Sequence, residues 1–136
     1  MTIILALILA IAIPAPAAAE MGVTVWEDAG APNAGDSWTL VSTTPTALKV
    51  SDLSKYTTGL HDGCNTSLGV KRSSWNDCIS AVSYSGMPSG YRLVLYNNAG
   101  YLYRHACWDA DGSRTYNVIG WANDYTSSWR VEGGNC

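Results

Sequence analysis

Leu93-Val94-Leu95-Tyr96-Asn97-Asn98-Ala99-Gly100 repeats, 70 positions on, the stretch Val23-Thr24-Val25-Trp26-Glu27-Asp28-Ala29-Gly30. In both copies a β-favouring run ends on an aromatic residue, two polar or acidic residues follow, and Ala-Gly closes the segment. That order reads as a strand entering a turn. A second repeated pair lies downstream of the first: Asn76-Asp77-Cys78-Ile79-Ser80-Ala81 and Asn123-Asp124-Tyr125-Thr126-Ser127-Ser128, offset by 47 positions. The chain therefore reads as two related units in tandem. The first is longer by 23 positions between its landmarks, and the excess falls between Val41 and Gly69.

Working outward, short alternating runs recur. Ser37–Val41, Ile79–Tyr84, Tyr91–Tyr96, Tyr101–Trp108 and Ser127–Val131 all read as half-buried strands. Turn signals separate them, among them Asn33-Ala34-Gly35, Asp62-Gly63 and Asp111-Gly112. Residues 45–60 are the least strand-like, and Ser51–Lys55 could cap one helical turn. The breaker-rich Ser85-Gly86-Met87-Pro88-Ser89-Gly90 reads as a linker between units. About four strands per unit make one Greek key each, and two keys make one sandwich. The expected fold is all-β: two Greek-key motifs in one β-sandwich, motif one at about 22–84 and motif two at about 91–131.

Composition narrows the class. The chain has 136 residues, 8 basic and 11 acidic, with a net charge of −3. A nucleic-acid binder would show a basic stripe, so that class is set aside. Charged residues are 14% and apolar ones 47%, which is not the profile of a disordered chain. Residues 3–13 are uniformly apolar, and Pro14-Ala15-Pro16-Ala17-Ala18-Ala19 follows. An apolar run of this length before small residues reads as a signal peptide, residues 1–19, leaving a secreted domain at 20–136 with no membrane segment after cleavage. Asn65-Thr66-Ser67 is a formal N-glycosylation acceptor. An even number of cysteines in an exported chain reads as two disulfides. Cys64, Cys78, Cys107 and Cys136 allow three connectivities, of which proximity favours Cys64–Cys78 with Cys107–Cys136.

The repeated Asn-Asp-x-x-Ser element carries the chemistry. Asp77 and Asp124 supply carboxylates, and Ser80 and Ser127 hydroxyls. Calcium takes six to eight oxygens in a flexible geometry, and such a loop supplies part of that set. Taken singly, either copy also reads as a plain turn whose side chains bond their own backbone. Asp109-Ala110-Asp111-Gly112-Ser113 imitates the start of an EF-hand loop, but Arg114 stands at the required glycine and Gly120 at the required glutamate. It reads as a polar hairpin turn. His61 and His105 read as solvated, and Trp75 and Trp121 as core residues at equivalent places. No nucleophile elbow, zinc-protease motif or phosphate loop is present, so the chain is not read as an enzyme.

Together, the aromatic–acidic hairpin and the Asn/Asp-Asn/Asp-x-x-Ser/Thr-Ser loop resemble the βγ-crystallin motif, here in two copies over 22–131. The second loop matches the calcium signature throughout, and the first departs at Ala81. The first hairpin keeps Gly35-Asp36-Ser37, where the second has Tyr101-Leu102-Tyr103-Arg104-His105. The resemblance implies two calcium sites, each assembled from both units, with ligands drawn from Glu27, Asn76, Asp77, Ser80, Asn97, Asn123, Asp124 and Ser127. Which hairpin serves which loop is left open. Metalloprotease inhibitors and killer-toxin-like proteins share this fold. A second expectation is therefore a secreted protease inhibitor or antifungal, killer-toxin-like protein that engages an extracellular protein or cell-wall target through the insertion Ser42–Gly69, with calcium structural or absent. A third is a purely structural role with vestigial loops.

Overall fold

The computed structural model describes residues 17–29, 35–59, 64, 72–118 and 124–136. Six strands form among them: β1 (Met21–Trp26), β2 (Ser37–Ser42), β3 (Lys49–Val50), β4 (Ala81–Asn98), β5 (Leu102–Asn117) and β6 (Ser128–Gly133). Their order is β2-β1-β4-β6-β3, with β5 also on β4, and every pairing is antiparallel.

β4 builds both layers. Its first residues, to Ser85, lie between β1 and the end of β5. From Tyr91 onward it lies between β6 and the beginning of β5. Each layer thus borrows a strand from the other unit. β3, from the first unit, edges the layer of β6, and the end of β5 edges the layer of β1. This is the expected pair of Greek keys in one sandwich.

The alternation in sequence sets the faces. Val23 and Val25 point inward with no exposure, while Thr24 faces out and its hydroxyl bonds that of Thr39 at 2.8 Å. Val82, Leu93, Leu95 and Val131 extend the same buried core. The chain has no Phe, and among the described residues Trp75 and Trp129 are the largest fully buried side chains. Trp75 satisfies its indole N–H on the Thr58 carbonyl at 2.8 Å. Trp129 lies 6.5 Å from Trp38, ring centroid to ring centroid.

The region that looked least like strand holds two 3-10 turns, Pro45–Ala47 and Leu53–Lys55, around the short β3. Asp52 caps the second by accepting from the Ser54 N–H at 3.1 Å. Both disulfides follow the pairing favoured by proximity: Cys64–Cys78 and Cys107–Cys136, with Cα separations of 5.6 and 5.7 Å.

Two sequence expectations are corrected. Ser85–Gly90 is not a linker but the middle of β4, crossed with register shifts at Tyr84/Met87 and Met87/Tyr91. Met87 is buried there. Asp109–Ser113 is not a hairpin turn but the middle of β5. The reason is shared. The two strands change layer side by side, so each keeps a partner for the other's backbone through the bend. Gly86 and Gly112, at φ 65° and 72°, supply the left-handed residues that the bend needs.

Candidate cation site

The two Asn-Asp loops meet across the molecule. Asp77 and Asp124 both sit in the left-handed region, at φ 56° and 59°, which Asp tolerates better than most residues. That turn aims each backbone N–H at the opposite loop. Asp77 donates to the Thr126 carbonyl at 3.0 Å, and Asp124 to the Ile79 carbonyl at 3.3 Å. The side chains cross in the same way. The Ser80 hydroxyl donates to Asp124 Oδ1 at 2.9 Å, and the Ser127 hydroxyl to Asp77 Oδ1 at 3.3 Å. The equivalence read from the repeat is therefore a physical pseudo-twofold, with each carboxylate served by the other unit's serine.

The hairpins dock on the same pair. Ser80 donates its N–H to the Trp26 carbonyl and Ser127 to that of Tyr96, both at 2.9 Å. Glu27, next to Trp26, therefore lies on the hairpin bonded to Ser80, whose hydroxyl meets Asp124. Asn97, next to Tyr96, lies on the hairpin bonded to Ser127, whose hydroxyl meets Asp77. Asn76 donates its amide to Asp77 Oδ2 at 2.8 Å. Asn123 lies outside the described residues, as do Trp121, His61, the Asn65-Thr66-Ser67 acceptor and the Asn33-Ala34 and Asp62-Gly63 turn signals.

Both carboxyls are pushed above the ordinary value of 3.8, chiefly because burial disfavours the charged form. For Asp124, the Ser80 bond opposes this, and the nearby charges of Asp28 and Asp77 add to it. For Asp77, the Arg72 guanidinium, 3.7 Å from Oδ2, and the bonds from Ser127 and Asn76 pull the other way. The pair is thus partly desolvated. Asn97 adds a further oxygen: its Oδ1 is shielded from solvent and accepts no hydrogen bond. Among the described residues no three His, Cys, Asp or Glu side chains cluster as a metal site. A cation here would be held by one carboxylate, hydroxyl and amide oxygens and carbonyls, a donor set suited to a hard ion. The residues fit calcium on those grounds.

Several neighbours escaped the sequence reading. Arg72 and Asp28 carry the charges that distinguish the two loops. Asp28 could have been found from the repeat, because Glu27-Asp28 in the first hairpin corresponds to the uncharged Asn97-Asn98 in the second. His105, expected to be solvated, is half-buried, with Nε2 3.0 Å from the Thr126 hydroxyl. Burial pushes its pKa from 6.5 down to about 4. Ser128 is fully buried, donates to the Asn98 carbonyl at 2.6 Å and accepts from the Tyr101 N–H at 3.2 Å. Ala81, its equivalent, makes no such tie. The departure at Ala81 therefore costs a hairpin bond and leaves the Asp77 and Ser80 oxygens in place.

The insertion considered as a docking surface is partly outside the described residues. Its described portion includes Leu48, Val50 and Leu53, which are buried in the core. Among the described residues, no helix is long and apolar enough to cross a membrane.

No protein-family model matches the chain, and no curated protein sequence does. Solved structures do. One bearing on the evolution of the eye-lens βγ-crystallin domain fold aligns at 15% identity over 82% of this chain and 85% of that one, with a TM-score of 0.50. The N-terminal domain of protein S aligns at 21% identity over 85% and 99%, TM-score 0.41. A mutant βγ-crystallin domain from Clostridium beijerinckii aligns at 22% over 81% and 95%, TM-score 0.43. With its interleaved Greek keys and its likeness to the first of these structures, the chain has the βγ-crystallin fold.

Proposed function

We propose that this is a secreted, calcium-binding protein, a binding module rather than an enzyme. Asp124, Ser80 and the Glu27 hairpin would hold one ion, and Asp77, Ser127 and Asn97 the other. The observation that carries the reading is the partnerless Oδ1 of Asn97, on the hairpin that docks against a loop whose carboxylate is partly desolvated. Bound calcium would give these oxygens a cationic partner. Held by the folded chain only, it would stabilise the fold by about 2.7 kcal/mol at one hundred times Kd. Export is supported by the apolar leader at 1–19 and by two disulfides, which persist in oxidising compartments.

Calorimetric titration of calcium into chelator-stripped residues 20–136, disulfides intact, tests this. Two equivalents and a raised Tm are expected. The double variant Asp77→Ala, Asp124→Ala should lose both. Unchanged affinity in that variant would overturn the assignment.

A further inference from the structure

Where β5 passes between layers it borders a cleft of about 480 Å³ that shares no residue with the Asn-Asp loops. That volume lies within the range of small-molecule sites, roughly 300–1,000 Å³. Its lining includes Trp108 and Tyr116, half-buried rings stacked at a centroid distance of 5.3 Å and an angle of 21°. Asp109, Asp111 and Arg114, all exposed, supply its charged lining. The Cys107–Cys136 disulfide forms part of the wall.

We propose that this cleft binds a neutral saccharide ring. A pyranose has an apolar C–H face and a rim of hydroxyls. The C–H face matches an aromatic surface, whose π cloud is negative. The hydroxyls match carboxylates, which only accept, and a guanidinium, which only donates. Other ligand classes fit less well. A wholly apolar ligand would take the Asp111 and Arg114 charges out of water and give them no new partner. A phosphate-bearing nucleotide would meet two carboxylates against one guanidinium.

The site is built before any ligand arrives. Asp109 Oδ1 accepts from the Cys136 N–H at 2.7 Å, and its carbonyl accepts from the Tyr84 hydroxyl at 2.7 Å. Asp109 is also paired across the sheet with Arg92, and Trp108 with Leu93. A frame held by backbone ladder, disulfide and tyrosine leaves little to order on binding.

The test is an NMR titration of the oxidised, isotope-labelled domain with cellohexaose, laminarihexaose and chitohexaose, in the presence of chelator. Saturating shifts of the Trp108 indole and of residues 107–116, with at least one of these sugars, are expected. Asp111→Asn should weaken that binding by about tenfold, and Trp108→Ala should abolish it. Trp108 also packs on the core, so the exposed Asp111 and an Arg114→Gln variant carry the result if Trp108→Ala fails to fold. Absence of saturation with all three sugars, shifts confined to other regions, or equal affinity in Asp111→Asn and Arg114→Gln would each overturn the proposal.

Discussion

Arg72 and Asp28 make the two halves of a near-symmetric arrangement electrically unlike. Asp77 has a guanidinium 3.7 Å away, whereas Asp124 feels two further carboxylates. Arg72 is more than one third exposed, so its hold on Asp77 is an exposed-pair interaction of about 0.2–1 kcal/mol. An incoming divalent ion must displace or repel it. Arg72→Ala should therefore strengthen calcium binding at the Asp77 site by about twofold to fivefold, leaving the Asp124 site unchanged, as resolved by two-site calorimetric titration at low salt. At this scale the sequence was informative about oxygens and silent about charges. Asp77, Ser80, Asp124 and Ser127 announce themselves by spacing. Arg72 does not, because only the folding of the first loop brings it to a residue five positions away.

At the scale of elements, the strands of each repeat were legible because alternation and turn residues agree there. Val23-Thr24-Val25 is an example, with Thr24 out and both valines in. What was not legible is continuity. Gly86, Pro88 and Gly90 are breakers by local rules, yet β4 runs through them because β5 pairs alongside. A tertiary partner overrode a local signal. The bend is also crowded. A Cβ on Gly86 would lie 2.9 Å from the Glu20 carbonyl oxygen, at a φ of 65°. Gly86→Ala should destabilise the fold by about 1–3 kcal/mol, read as a lower denaturant midpoint with unchanged slope. A variant as stable as the parent would show that the bend relaxes freely.

For the whole molecule, the consequence of the crossed loops is that each unit's carboxylate is bonded by the other unit's serine: Asp124 by Ser80, and Asp77 by Ser127. The family resemblance implied sites shared by both units, whereas the docking of each hairpin on its loop came only from the Ser80–Trp26 and Ser127–Tyr96 backbone bonds. His105 makes the stability of the whole fold sensitive to acid. Its folded pKa of about 4 lies below the ordinary 6.5, so its contribution is full above 6.5 and is lost as pH falls toward 4. The raised carboxyls of Asp77 and Asp124 have the opposite sign and gain stability as they protonate at lower pH. In chelator, His105→Gln should flatten the fall of Tm between those two pH values. An identical Tm profile in the variant would assign the acid loss to other groups.

The bond between Cys107 and Cys136 also decides how the molecule carries load. β6 lies between β4 and β3, and the chain beyond it is fastened to β5 through Cys136. Tension drawn through Cys136 therefore enters the body at Cys107, in the long strand that spans both layers, and bypasses β6. While the bridge is oxidised, the strand carrying Trp129 and Val131 cannot be peeled from its end. Reduction would turn that shielded strand into the first one pulled away.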